Sequence, residues 1–243
     1  MSVEAINDGL NALRLTGMKD ELDHQLSHPS FDEQPFTDRL LMLVNAQIER
    51  RQIERRKSDK IRALTSGAKF KYLAAPQDIK FSTDRNLVKS EVLELLKCDW
   101  VERGQHVLIT GSSGTGKTWL SCALGMAVVA KEKSVKYLRV SQLVEDIQYA
   151  RLDGSLRTLQ RSLKSVELLI LDDFGLHPFS KQERTDFFEV IEARSAISSM
   201  IIVEQRPVED WYSFIKDPLI ADAFMDRVQS GSRMIRLEGK SLR

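Results

Sequence analysis

"HVLITGSSGTGKTWLSCALG", residues 106–125, decides the fold. HVLIT (106–110) is a short aliphatic run of the kind that forms a buried strand. WLSCALGMAVVA, from Trp119, reads as a helix. Between them GSSGTGKT (111–118) fits G-x-x-x-x-G-K-[S/T], with Gly111, Gly116, Lys117 and Thr118 at the fixed positions. Strand, glycine-rich turn and helix are the context that a phosphate-binding loop needs. Glycine lets the backbone turn tightly, so that the N–H groups of Ser112, Ser113, Gly114 and Thr115 can point at phosphate oxygens. The helix N-terminus adds a dipole that favours an anion. Lys117 is the cation for the β- and γ-phosphates, and the Thr118 hydroxyl is a ligand for Mg²⁺. The expected cofactors are therefore ATP and Mg²⁺.

About fifty residues further on, LLILDDFG (168–175) carries four large aliphatic residues and then two acids. The run predicts a strand buried on both faces. Alone, the acids would read as a turn cap. Downstream of an intact phosphate loop, Asp172 is the residue expected to orient the Mg²⁺ and Asp173 the one expected to polarise the attacking water. Many nucleotide hydrolases place a glutamate at this second position. Aspartate is shorter by one C–C bond, about 1.5 Å, and a misplacement of about 1 Å can cost on the order of a hundredfold in rate. Slow hydrolysis, stimulated by assembly or DNA, is the expectation.

The same texture continues on either side. VKYLRV (135–140), MIIV (200–203) and RMIRL (233–237) are further strand candidates, with amphipathic helices between them. Short aliphatic strands alternating with helices predict an α/β fold with a five-stranded parallel sheet covered on both faces, over residues 86–243. Composition agrees with a globular chain: of 243 residues, 42% are hydrophobic and 29% charged. No apolar stretch approaches the ~20 residues of a membrane span, and the N-terminus lacks the basic and apolar regions of a signal peptide. Cys98 and Cys122 have neither disulfide nor zinc spacing and read as buried small hydrophobes in a reducing cytoplasm. The histidines (24, 28, 106, 177) suggest no triad or metal cluster; His106 reads as packed, and His177 falls in the loop after LLILDD.

Residues 1–66 read as a small all-helical domain. Leu10, Leu13, Met18, Leu22 and Leu26 follow helical spacing, with Gly17 expected to separate two short helices. Pro29 ends the second. A longer helix starts near Thr37-Asp38, with Leu40, Leu41, Val44 and Ile48 on one face. Ser66-Gly67 is its expected stop, and 67–85, which contains Gly and Pro and has no clear period, reads as a linker. The net charge of +1 conceals a gradient: residues 1–48 carry three Lys/Arg and eight Asp/Glu, whereas 49–71 carry nine and three. On charge alone the basic block would be a solvated helix face.

These motifs together resemble the IstB-like branch of the AAA+ ATPases, the transposition helper ATPases of insertion sequences, which are related to DnaC-type helicase loaders. The likeness is carried by LNALRLTGMKDEL (10–22), VLITGSSGTGKTWLSCALG (107–125), YARLDGSL (149–156), LLILDDFG, RPVEDWYSFIKDPLIADAFMDRV (206–228) and SLR (241–243), which looks like that family's terminal Ser-Met-Arg. The block from Pro207 to Val228 is more specific than the phosphate loop. The resemblance implies an AAA+ P-loop core behind a helical domain for DNA binding or assembly. It also implies a bacterial, DNA-associated ATPase that forms a homo-oligomeric ring or spiral on duplex DNA, remodels or selects target DNA and activates a transposase. Arg227 sits where the family places an arginine finger, reaching a neighbour's γ-phosphate; Arg233 is the nearest competitor. With the resemblance, Arg50, Arg51, Arg55, Arg56, Lys57, Lys60 and Arg62 become the expected contacts to DNA phosphates, with little sequence specificity. One departure stands out. Where the family carries a Thr/Ser-rich TSQ on its fourth strand, this chain has Val203, Glu204 and Gln205. Valine cannot hydrogen-bond, and Glu204 would bring an anion to the γ-phosphate unless it faces away or positions water. The competing readings are a replicative helicase loader and a nucleotide-dependent DNA clamp with negligible turnover.

Overall fold

The computed structural model describes residues 2–241 other than 82, 177, 178 and 196; the side chains of 83, 176 and 213 are also outside the described set. His177 and the last two residues of SLR therefore lie outside it. The chain divides into two compact units, residues 1–60 and 61–243.

The first unit holds helices α1 (Val3–Ala12) and α2 (Thr16–Ser27) and most of α3 (Phe36–Ala68). α1 is capped by Ser2, whose hydroxyl accepts from the Ala5 N–H. The break between α1 and α2 does not fall at Gly17. It falls at Leu13–Leu15, where Arg14 takes φ 56°. Gly17 instead lies in the first turn of α2, pressed on α3: a Cβ there would come 2.8 Å from the Ala46 carbonyl and 2.9 Å from the Gln47 Cα. The Gln47 side chain closes the crossing by accepting from the N–H groups of Gly17 and Met18, at 2.9 and 3.3 Å. These are donors that the first turn of a helix leaves unpaired. Leu40, Leu41, Val44 and Ile48 remain 40–58% exposed.

The second unit is a three-layer α/β/α sandwich. α4 (Lys89–Leu96) and α5 (Asp99–Glu102) lead into β1 (Val107–Gly111), followed by α6 (Lys117–Ala130), β2 (Val135–Arg139), α7 (Val140–Leu152), α8 (Leu156–Ser165), β3 (Leu168–Asp172), α9 (Lys181–Ser195), β4 (Ser199–Val203), α10 (Trp211–Ile215), α11 (Pro218–Gln229) and β5 (Arg233–Leu237). The five strands read from the sequence form one parallel sheet, in the order β2-β3-β4-β1-β5. Because side chains alternate along a strand, each strand feeds two cores. Val107, Ile109, Leu168, Ile170, Ile201 and Val203 pack with α6 on one face; Leu108, Leu169, Leu171, Met200 and Ile202 pack with the helices of the other. Among the described residues, no helix is long and apolar enough to cross a membrane.

The stretch read as a linker packs as part of this unit. Ala68, Ala74 and Ile79 are buried in the α6-side core, and Phe70 packs against it. Gly67 still belongs to α3 and Pro76 opens a short 3₁₀ turn, while the scattered apolar residues fill gaps in the helix layer, which no periodic pattern reveals.

Candidate nucleotide-binding site

The strand order positions the site. From β1 the chain crosses to the edge strand β2, returns through β3 and β4 to the side of β1, and places β5 on the other side of β1. The C-terminal ends of β1 and β3 thus flank that of β4, and ligands of open α/β sheets bind outside such ends.

At the end of β1, Gly111 pairs with Leu237 of β5, and its φ of 142° combines with contact to the Leu237 carbonyl to exclude any side chain. Gly116 is the left-handed residue, φ 90°, from which α6 starts. Thr115 is buried, its hydroxyl donating to the Ser112 carbonyl at 2.9 Å. Lys117 is also buried; its Nζ donates to the carbonyls of Gly111 and Ser112, at 2.7 and 2.9 Å. The ammonium is thereby held inside the loop's own curve, where phosphate oxygens would replace the carbonyls as acceptors.

Asp172 is fully buried at the end of β3. The Thr118 hydroxyl donates to its Oδ2 at 2.9 Å, with Oδ1 at 3.2 Å. The Tyr137 hydroxyl donates to Oδ2 at 2.6 Å, and the Asp173 N–H donates to Oδ1 at 3.1 Å. Thr118 and Asp172 offer hard oxygen donors side by side, the donor chemistry that suits Mg²⁺, a cation that keeps much of its water and takes few protein ligands. Burial, then the hydrogen bond to Asp172, raises the Tyr137 phenol pKa far above its ordinary range, so it stays a donor.

Asp173 has φ 59°, a left-handed backbone that aspartate and asparagine tolerate better than longer side chains. Its carboxylate lies 3.9 Å from Arg139 Nε. Burial first, then Asp172, raises its pKa above the ordinary aspartate value, while Lys71 and Arg139 oppose the rise.

A family model described as IstB-like ATP-binding protein matches residues 9–243. The chain belongs to this family. A Sinorhizobium fredii protein named as an insertion-sequence ATP-binding protein is 36% identical to this IstB-like chain over 236 residues, 97% of this chain and 94% of the relative. A Mycobacterium tuberculosis protein, named as an ATP-binding protein in an insertion sequence, is 27% identical over 98% of this chain and 94% of its own length. Among solved structures, the DnaC helicase loader aligns over 70% of this chain and 100% of its own, with TM-score 0.56 and 16% identity. AMPPCP-bound DnaA from Aquifex aeolicus aligns over 70% of this chain and about half of its own (51%), with TM-score 0.57 and 20% identity. These likenesses show the AAA+ P-loop fold.

Two further groups of predicted residues stand on helices of this IstB-like chain. Arg227, on α11, donates to Glu192 at 2.7 Å and to the Ala223 carbonyl at 3.0 Å, with its guanidinium 5.2 Å from the Phe188 ring centre. Arg50, Arg51, Arg55, Arg56, Lys57, Lys60 and Arg62 all lie on α3 and, apart from half-buried Arg50, are exposed. Arg50 pairs with Asp20 and with Glu54, the latter at 3.5 Å.

Several residues at the site were not among those predicted. Tyr137 carried a weak signal, as a polar-tipped ring at an inward position of a buried strand. Arg85 carried none: from the supposed linker it donates to the Thr115 carbonyl at 3.0 Å and the Lys80 carbonyl at 2.7 Å, bracing the phosphate loop from outside. Phe174 plants the turn after β3 among Trp211, Phe187 and Phe224, with ring centres 5.0, 5.7 and 5.2 Å away.

Proposed function

We propose that this IstB-like protein is the ATP-hydrolysing helper of an insertion sequence: a Mg²⁺-dependent ATPase that assembles as a ring or spiral on duplex DNA, selects or remodels that DNA as a transposition target and activates the element's transposase. The observation that carries the nucleotide half is the joining of Thr118 and Asp172 beside a phosphate loop with Lys117 buried in it. In this reading Gly111, Ser112, Ser113, Gly114, Thr115, Gly116 and Lys117 hold the phosphates, and Thr118 and Asp172 hold the cation. Mg²⁺ held there would supply positive charge against the negative charge of the phosphates. Asp173 orients water, and Arg227 of a neighbouring subunit meets the γ-phosphate. The exposed cations of α3 meet DNA phosphates. The insertion-sequence names of relatives matched over nearly their whole length support the transposition role over that of a helicase loader.

Electron microscopy of the protein with duplex DNA and a non-hydrolysable ATP analogue tests the reading. The expected image is a closed or spiral oligomer around DNA, lost on Lys117→Ala and weakened by salt. Oligomers that form equally well in the Lys117→Ala variant would remove the nucleotide site from assembly. Binding of a replicative helicase, but not of the transposase, in a pulldown would move the chain to the loaders.

A further inference from the structure

Glu204, with Val203, departs from the family pattern, and the structure gives its carboxylate a definite place. It follows β4, the strand between β1 and β3, and its N–H donates to the Ile109 carbonyl of β1 at 3.0 Å. The side chain is not turned to solvent: the residue is 2% exposed. Oε2 accepts the N–H of Gly175, and Oε1 accepts the N–H of Arg206 at 3.2 Å. Both oxygens are thus engaged with backbone N–H groups, one in the turn after β3 and one in the segment after β4.

A buried carboxylate is costly unless it is hydrogen-bonded, and an aliphatic residue here would avoid that cost. What the carboxylate gains is reach, across to the turn after β3. We propose that Glu204 is a positioning residue, whose buried carboxylate clamps the Asp172–Gly175 turn and so fixes where Asp173 presents its own. This rests on the reading of the site as one that hydrolyses ATP.

Three successive residues of the turn are anchored separately. Asp173, in its left-handed conformation, donates its N–H to Asp172 Oδ1. Phe174 is buried in the aromatic cluster. Gly175 donates to Glu204. Position 175 must be glycine for this, because a Cβ there would lie 2.5 to 2.7 Å from the Glu204 carboxylate atoms. A left-handed aspartate is not a conformation the chain keeps unaided. Two side anchors and a clamp hold it, and the short Asp173 depends on that placement more than a longer glutamate would.

The test compares wild type, Glu204→Ala and Glu204→Gln in three measurements: hydrogen exchange at the Gly175 amide in nucleotide-free protein, affinity for an ATP analogue, and DNA-stimulated turnover. Glu204→Ala is expected to speed Gly175 exchange about tenfold or more, as a local opening loses its partner. It should lower kcat by roughly ten- to a hundredfold through misplacement of Asp173, with analogue affinity unchanged. Glu204→Gln keeps one acceptor oxygen and should fall between the two in exchange and in kcat. Wild-type turnover in Glu204→Ala overturns the proposal. So does a parallel loss of kcat and analogue affinity, which marks a merely structural residue. If Glu204→Ala does not fold, Glu204→Gln decides: unchanged Gly175 exchange and unchanged kcat overturn the clamp. A wild-type protein without turnover would defeat the hydrolytic reading, while Gly175 exchange would still decide separately whether Glu204 clamps the turn.

Discussion

The hydroxyl of Tyr137 and the carboxylate of Asp172 meet across 2.6 Å, tying the edge strand β2 to the acid at the end of β3. The two residues are two register positions apart and so share a face of the sheet: Tyr137 stands opposite Ile170, and Arg139 opposite Asp172. Tyr137 thus reaches along the sheet to the carboxylate that Thr118 also holds. Tyr137→Phe removes a hydrogen bond to a buried charged group, so stability should fall by about 1.5–3 kcal/mol in urea unfolding. Partners that orient a metal's ligands commonly contribute ten- to a hundredfold in metal affinity. The Mg²⁺ needed for half-maximal binding of a fluorescent ATP analogue should accordingly rise about tenfold. Unchanged values in both assays would make the contact incidental.

Asp173 links turnover to pH. Burial and Asp172 raise its pKa, so as the pH falls it takes up a proton sooner than an exposed aspartate would. The water-orienting form is the deprotonated one, and the acid limb of kcat should therefore lie above the ordinary aspartate range, near pH 3.9. Arg139→Ala removes a charge that opposes the rise and should move the limb to higher pH. Asp173→Asn, which suits a left-handed backbone equally, should bind ATP on DNA as a long-lived complex without releasing phosphate. Normal phosphate release from that variant would place the base elsewhere.

Arg227 is paired within its own subunit, with Glu192, and a pair this exposed is worth ~0–1 kcal/mol. A neighbouring γ-phosphate can therefore outcompete Glu192 at little cost. Arg227→Ala should leave nucleotide binding by the isolated subunit intact and lower assembled turnover on the order of a thousandfold, the lower range for an arginine finger. Mixing Arg227→Ala with Asp173→Asn subunits should restore part of the activity, because an intact Asp173 then meets an intact arginine at some of the mixed interfaces. No recovery in the mixture would place the arginine's role within one subunit.

His106 sets an acid limit on stability. It is 2% exposed, and its Nδ1 accepts the Met200 N–H at 3.3 Å, which requires the neutral ring. Burial, aided by the Arg194 charge, pushes its pKa from 6.5 down to about 4. The unfolded chain therefore takes up this proton first. The stabilising contribution is complete above about pH 6.5 and is lost as the pH falls towards 4, a total of about 3 kcal/mol at 1.36 kcal/mol per unit. Urea unfolding across this window should show a shallower loss in His106→Phe than in wild type. Equal slopes would assign the acid sensitivity to other groups.

How much of this was legible in the chain follows from how local each cause is. The phosphate loop announces itself because glycine at Gly111 and Gly116, lysine and threonine are each needed within eight consecutive residues. The strands are legible because burial on both faces leaves runs such as LLILD with no polar positions before the final acid. The left-handed backbone of Asp173, which makes sense of an aspartate where a glutamate is common, has no such local mark. Nor does the packing of 67–85, where isolated apolar residues fill gaps that exist only once the helices are in place.

The α/β fold and its five strands were fixed by the chain alone, since they rest on short-range periodicity and backbone freedom. The tertiary structure alone decided which side chains meet. It brought Tyr137 to Asp172, a separation of 35 positions, brought Glu204 onto Gly175, 29 positions earlier, and paired Arg227 with Glu192. The first two partnerships arise from β3 lying between β2 and β4, and the third from the packing of α11 on α9. A contact made by the order of strands or the stacking of helices leaves no trace in the spacing of residues along the chain.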